Sequence, residues 1–163
     1  YKINKKVIIP LHGWRDLEYS WGGFKPTDYD VVKKLHDMER VFDYLDGGED
    51  TTGYMEQILR AAEQTAQSRK INCKYFYLTF YKKGTCHIEF KDQRLLDKFN
   101  IFGSQHKGWL PPSYGKKSYQ TMTKEEQAVV DDFQGEKEYE KVMANKDYYM
   151  FDSSSVLMLE GNL

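Results

Sequence analysis

The chain has little of what disulfide-built, metal-built and membrane proteins are made from. Of its 163 residues two are Cys, four His and four Pro. Two thiols cannot make a disulfide framework, and His12, His36, His87 and His106 are spaced too widely and irregularly for a zinc module. His36 and Glu39 stand one helical turn apart, which makes half of a metal site at most. Uninterrupted apolar runs such as Val7-Ile8-Ile9 and Val156-Leu157-Met158-Leu159 are far too short to cross a bilayer, so no membrane span is expected. There is no basic, apolar leader of the secretory kind. The chain starts at Tyr1 and almost at once enters the strand-like Lys6-Val7-Ile8-Ile9, which reads as a fragment of something longer. Free thiols fit a reducing cytoplasm. Hydrolase, metalloprotease and dinucleotide readings have no local support, because no Gly-x-Ser-x-Gly, His-Glu-x-x-His or Gly-x-Gly-x-x-Gly occurs. No repeat or low-complexity tract is present.

What the chain does have is tyrosine and an uneven charge. Aromatic residues make up 15% of it, 13 of them Tyr, and 30% are charged, the composition of a globular domain rather than a disordered one. At this length one core is the default, and a single α+β domain over 1–163 is expected. Between Cys73 and Lys117, Lys74, Lys82, Lys83, Lys91, Arg94, Lys98, Lys107, Lys116 and Lys117 stand against Glu89, Asp92 and Asp97. That is a surplus of six positive charges in a chain of net charge −1, so the remainder carries −7. The asymmetry points to an anionic partner.

The periodicity orders the elements. Residues 5–10 read as a strand stopped by Pro10, and 11–26 as a turn-rich connection. Val32, Leu35, Met38, Phe42 and Leu45 recur at helical steps between Asp28 and Asp46, with Gly47-Gly48 as the stop. A second helix, capped by Thr51 or Thr52, places Met55, Ile58, Leu59, Ala62 and Ala66 on one face, making an αα-hairpin. A β-hairpin follows over 73–91. A three-residue loop Lys82-Lys83-Gly84, with Gly84 left-handed, pairs Phe80 with Cys86, Leu78 with Ile88 and Phe76 with Phe90; a two-residue loop would put charge into the apolar face. By the same alternation Tyr75, Tyr77, Thr79, Tyr81, His87 and Glu89 share the other face with Cys73, which separates the two sulfurs. Asp92 caps a helix ending at Gly103, whose Leu95, Leu96, Phe99 and Phe102 are expected over the apolar face. Thr123 and Glu126 make a capping box. A helix containing Tyr139, Val142 and Met143 follows Gly135, and 149–151 and 156–159 read as further strands. The architecture expected is a small antiparallel sheet around the hairpin, with an N-terminal αα-hairpin and C-terminal helices packed on it.

Gly108 to Ser118 is no phosphate-binding loop, since the glycine gap is six residues and Pro111 and Pro112 remove two backbone donors. Glu125-Glu126 and Asp131-Asp132 are sequence neighbours on an exposed helix, which points them about 100° apart. The tyrosine face is the stronger signal. Tyr77 and Tyr81 have the character of stacking platforms, and Lys82, Lys83, Lys91, Arg94, Lys98, Lys107, Lys116 and Lys117 of phosphate contacts, with Trp109 as a further stacking ring. The alternative is that the αα-hairpin covers this face, the ordinary expectation for so short a sheet. Trp109-Leu110-Pro111-Pro112 is either a rigid contact for a partner or, by default, a loop whose Trp plugs the core.

The segments Cys73-Lys74-Tyr75-Phe76, Phe80 through Phe90, Leu95 through Phe102 and Trp109-Leu110-Pro111-Pro112-Ser113-Tyr114-Gly115-Lys116-Lys117 resemble the bacterial family catalogued as domain of unknown function 4942. The likeness is densest over 73–117 and thinner before residue 50. It implies a module of mobile elements, often joined to an adenine-specific DNA methyltransferase, hence DNA and a methyltransferase domain, in cis or in trans, as partners. Methylation itself does not carry over, because Leu110-Pro111-Pro112-Ser113-Tyr114 lacks the amide or carboxylate before the prolines. The expected function is a non-enzymatic, nucleic-acid-associated accessory or target-recognition module needing no cofactor. The alternatives are a protein-docking domain using the Trp109 loop, or an enzyme built from His87 or His106 and a remote carboxylate.

Overall fold

Two runs of strict alternation, Phe76-Tyr77-Leu78-Thr79-Phe80-Tyr81 and Thr85-Cys86-His87-Ile88-Glu89-Phe90, become the central strands of the fold in a computed structural model that describes residues 2–15, 23–48 and 53–150. Contacts divide the chain into two compact units, Ile3–Leu96 and Asp97–Leu163 with Tyr1–Lys2. The class is α+β.

The first unit is built from β1 (Lys6–Pro10), β2 (Trp14–Arg15), β3 (Gly23–Phe24), α1 (Tyr29–Leu45), α2 (Tyr54–Gln64), β4 (Ile71–Asn72), β5 (Phe76–Tyr81) and β6 (Thr85–Phe90). Four strands form an antiparallel sheet in the order β1-β6-β5-β4, and β2 and β3 form a separate two-stranded ribbon. The expected register holds: Phe76 faces Phe90, Leu78 faces Ile88 and Phe80 faces Cys86. The loop between them is Lys82-Lys83-Gly84, with Gly84 at φ +92°. Its missing side chain is also required by space, because a Cβ there would lie 2.1 Å from the His12 ring.

One face of this sheet is a core. Phe76, Leu78, Phe80, Cys86, Ile88 and Phe90 are at most 2% exposed. Phe42 of α1 stacks on Phe90 with ring centroids 5.2 Å apart, and Phe24 of β3 meets Phe80 at 5.7 Å. The αα-hairpin therefore lies on the apolar face, not on the tyrosine face; its own apolar stripe needs an apolar partner. That stripe is Val31, Leu35, Phe42 and Leu45 from α1 with Met55, Leu59 and Ala62 from α2. Val32, Met38 and Ile58 are only half-buried. Asp28 caps α1 through its carboxylate. Gly53 precedes α2, and the expected caps Thr51 and Thr52 lie outside the described residues.

Three strands escaped the periodicity. β2–β3 lies inside the turn-rich connection, and β4 is a two-residue edge paired through Ile71↔Leu78 and Asn72↔Tyr77. β4 changes the place of Cys73. The chain bends at Lys74 and Tyr75 before β5 begins, so Cys73 continues the inward parity of Ile71 and is 2% exposed. Both sulfurs thus belong to the buried side, contrary to the simple alternation, and both are free thiols.

The boundary between the units falls within α3 (Gln93–His106), which Asp92 caps by accepting from the amides of Arg94 and Leu95 at 2.9 and 3.2 Å. The helix does not stop at Gly103. A glycine inside a helix costs only about 1 kcal/mol, and the stop comes where Gly108 takes φ +70°. There Gly108 N–H bonds to Gln105 O and Trp109 N–H to Ser104 O, the paired bonds of a Schellman end. Phe99 and Phe102 are only half-buried, while Ile101 is 1% exposed. The stripe expected over the sheet is thus not one continuous buried row.

The second unit contains α4 (Lys124–Phe133), α5 (Glu136–Ala144) and the single turn α6 (Lys146–Tyr149). Its core gathers Ile101, Leu110, Tyr114, Met122, Val130, Phe133, Tyr139 and Val142. Thr123 and Glu126 make the expected capping box. From the Trp-Pro-Pro loop it is Leu110 and Tyr114 that fill this core; Trp109 is 49% exposed. Tyr149 ends a helical turn rather than opening a strand, and 156–159 lie outside the described residues.

Candidate nucleic-acid interface

Because side chains alternate and facing residues share a side, the register defines what the second face of the sheet carries. Three rows cross it: Asn72, Tyr77, Glu89 and Lys6; Thr79, His87 and Ile8; Tyr81, Thr85 and Pro10. Tyr77, Thr79, Tyr81, Thr85, His87 and Glu89 are half-buried and Ile8 is 63% exposed. This is the opposite of the residues one position along, which are sealed. Tyr75, expected here, is instead 8% exposed and turned toward α1, because the bend before β5 takes it out of the alternation.

Cations line this face. Lys91 Nζ lies 4.8 Å and Lys70 Nζ 5.8 Å from the Tyr77 ring centre, and the Arg69 guanidinium 5.6 Å from that of Tyr81. His87 packs on Tyr81 with ring centres 4.4 Å apart. Lys91 is held by the side-chain oxygen of Asn72 and by Cys73 O at 2.5 Å. None of these three cations makes an ion pair among the described residues. Glu89 is the acid on the face, with Lys6 3.9 Å away.

Sequence reasoning singled out neither Arg69 nor Lys70. They sit on a tight link between α2 and β4 in which Ala66 and Lys70 adopt φ +54° and +48°. The Gln67 amide ties this link by donating to Arg69 O and Lys70 O, both at 3.2 Å, and Lys70 N–H donates to Thr79 Oγ1 at 3.1 Å. Two non-glycine residues in the left-handed region are uncommon and carry strain. A charged residue next to a tyrosine strand was the only available sequence signal.

The other expected site residues divide between the units. Lys82 and Lys83 are exposed on the β5–β6 turn, Lys82 lying 5.2 Å over the Trp14 ring, and Arg94 is exposed on the first turn of α3. In the second unit Lys98 lies 4.5 Å over the Tyr148 ring and Lys117 pairs with Glu126 at 3.8 Å. Lys107, Lys116 and Trp109 are exposed. The sheet unit thus brings together Tyr77, Tyr81 and Lys91 from the expected set.

The buried polar groups of this unit lie on the helix side. Asp43, 4% exposed, accepts from Lys74 Nζ at 2.6 Å and Tyr75 Oη at 2.7 Å. Burial first, and that hydrogen bond second, raise the Tyr75 phenol well above its ordinary range. The hydrogen bond to Asp43 is the main cause holding the Lys74 ammonium above its usual value. Burial pushes both Cys73 and Cys86 up to about 12, which makes them poor nucleophiles. Neither His87 nor His106 is hydrogen-bonded to a carboxylate among the described residues. His87 Nε2 is buried with no hydrogen-bond partner there, and His106 stacks on Phe102 at 6.4 Å. A cleft of about 450 Å³ between the starts of α1 and α2 is lined by His36 and Glu56, but Glu56 is already paired with Arg60 at 2.8 Å. Glu39 is wholly buried, whereas His36 lines that cleft.

A family model described as Domain of unknown function (DUF4942) matches residues 1–109. The match covers the sheet unit from its start, including the part before residue 50, and ends at Trp109 ahead of the two prolines. No curated protein and no solved structure matches.

Proposed function

Since this chain belongs to the family described as Domain of unknown function (DUF4942), its role has to be read from its own surface, and we propose that it is a nucleic-acid-associated accessory or target-recognition module without catalysis of its own. The observation that carries the reading is the two-sidedness of the sheet. Helices bury the phenylalanine side, while the tyrosine side keeps half-exposed rings with Arg69, Lys70 and Lys91 beside them and, among the described residues, no acid paired to any of the three. Ammonium and guanidinium groups without carboxylate partners are what phosphate neutralisation uses, and aromatic rings add about 1–3 kcal/mol per stacked base. Lys82 and Lys83 extend the cationic margin at the turn. We further propose a DNA methyltransferase, in cis or in trans, as the enzyme it serves, in a reducing cytoplasm where both thiols stay free. A filter-binding titration against single- and double-stranded DNA at two salt concentrations tests it. Affinity must fall steeply as salt rises; undetectable or salt-insensitive binding to both polymers ends the proposal.

A second reading has its own observation. Trp109 is 49% exposed while its neighbours Leu110 and Tyr114 are 7% and 1% exposed, so the loop is anchored in a core and presents a large ring to solvent. Such a ring is the usual centre of a protein contact. Co-purification with a separately expressed methyltransferase, lost in Trp109→Ala, supports that reading; retention in the variant argues against it.

A further inference from the structure

We infer that the ligand of the sheet face is a single strand, its bases stacked on Tyr77 and Tyr81 and its phosphates taken by Arg69, Lys70 and Lys91. This rests on the nucleic-acid reading above and deepens it to a ligand class and a named set of contacts.

Three observations converge. The first is width. Four strands at about 4.8 Å spacing span about 14 Å between the outer backbones, already more than the roughly 12 Å of a major groove. The sheet therefore cannot enter a duplex as a two-stranded ribbon does. A duplex could meet only its rim, leaving the central rings idle.

The second is spacing. Tyr77 and Tyr81 lie four residues apart on one strand, about 13 Å, with Thr79 and His87 paired between them. Rings so far apart cannot sandwich one base. They suit successive bases of an extended strand, splayed from their neighbours, which is how unpaired nucleotides are held on aromatic platforms.

The third is charge placement. Each ring has a cation close by: Lys70 and Lys91 at Tyr77, Arg69 at Tyr81. Lys91 is fixed by Asn72 and Cys73 O, and the link carrying Arg69 and Lys70 is tied by Gln67. These charges flank the rings, where the phosphates on either side of a stacked base fall. In the free protein they occupy cation–π positions. A base arriving on the ring displaces the cation toward the phosphate, exchanging one favourable contact for another. Glu89 opposes phosphate at one end of the face and places a limit there, since Lys6 at 3.9 Å offsets it only weakly.

Fluorescence anisotropy of the full chain with a labelled oligothymidylate and a mixed-sequence duplex, each at two salt concentrations, tests the inference. The wild type is expected to prefer the single strand by roughly 10-fold or more, and Tyr77→Leu with Tyr81→Leu to lose most of that preference, each ring being worth roughly 5- to 160-fold. Duplex affinity should move less than about 2-fold. Tyr77→Phe with Tyr81→Phe keeps the rings and should keep the preference, which separates lost stacking from a damaged fold. Arg69→Gln, Lys70→Gln and Lys91→Gln together should flatten the single-strand salt slope by about 2, at about 0.7 per phosphate contact. Equal affinity for both polymers, or leucine variants that bind the oligothymidylate as well as wild type, overturns the inference while leaving salt-dependent DNA association standing. Absence of binding to either polymer removes both.

Discussion

Asp43 is the residue whose loss should be felt most per atom removed. It sits on the inner side of α1, 4% exposed, and its Oδ1 takes both the Lys74 ammonium and the Tyr75 hydroxyl, at 2.6 and 2.7 Å. These two residues form the bend by which the chain passes from β4 into β5, so one carboxylate pins the helix layer to the turn of the sheet. Removing one member of a buried ionic pair costs about 3–5 kcal/mol. The Lys74 side chain is 33% exposed, so water recovers part of its solvation and we set the cost of Asp43→Ala at about 2–4 kcal/mol. Most of this comes from the Tyr75 hydroxyl, left, among the described residues, with Asp46 at 3.4 Å. Asp43→Asn keeps an acceptor and should cost about half as much. The pH dependence follows in sign. Both folded pKa values are raised, from ordinary values of 10.0 for Tyr75 and 10.5 for Lys74. Their stabilisation is thus fully present below about pH 10 and is lost as pH rises through the folded values. Urea unfolding followed by circular dichroism, at pH 7 to 9 and above 10, measures this. A loss under 0.5 kcal/mol for Asp43→Ala, or a difference from wild type that grows at high pH, would refute the reasoning.

Four further outcomes are expected. Gly84→Ala should destabilise by at least about 1–2 kcal/mol, the cost of a left-handed non-glycine residue, and by more if the His12 ring at the Cβ position cannot yield; a thermal melt unchanged within error would contradict it. Cys73 and Cys86, raised to about 12 by burial, should resist an aromatic disulfide reagent at pH 8 in the native chain and both react in urea, so rapid native labelling of either would count against the fold. The Glu126 carboxyl is held below its usual range first by its hydrogen bond to Ser113, so the anchoring of the 111–117 loop is present above pH 4.5 and lost as pH falls through the lowered value. Thr123→Ala should remove about 1 kcal/mol of capping, and an NMR titration of Glu126 giving an ordinary midpoint would sink the loop's part in this.

The hairpin was legible because a strict period of two leaves only one register that keeps charge out of the core, and Gly84 supplies the left-handed residue that register needs. The caps at Asp92 and Thr123 were legible for the same local reason. Which layer lies on which face was not, since both the Phe42 stripe and the tyrosine side of the sheet are amphipathic and only three-dimensional packing chooses between them. Cys73 and Tyr75 were misplaced by a two-residue strand too short to have a period of its own. The proposed interface was half legible: Tyr77, Tyr81 and Lys91 follow from alternation, whereas Arg69 and Lys70 reach the rings through a backbone shape that Ala66 and Lys70 do not favour by themselves.

The order β1-β6-β5-β4 has a consequence for synthesis. β1 is made first, yet the residue Val7 faces is Ile88, about eighty positions later, and pairing across so long a loop is slow. Until that partner is translated, Val7-Ile8-Ile9 is an unsatisfied sticky strand. Lys5, Lys6 and Pro10 bracket it, the charged and ladder-breaking flanks that keep such a segment from zippering with another nascent copy.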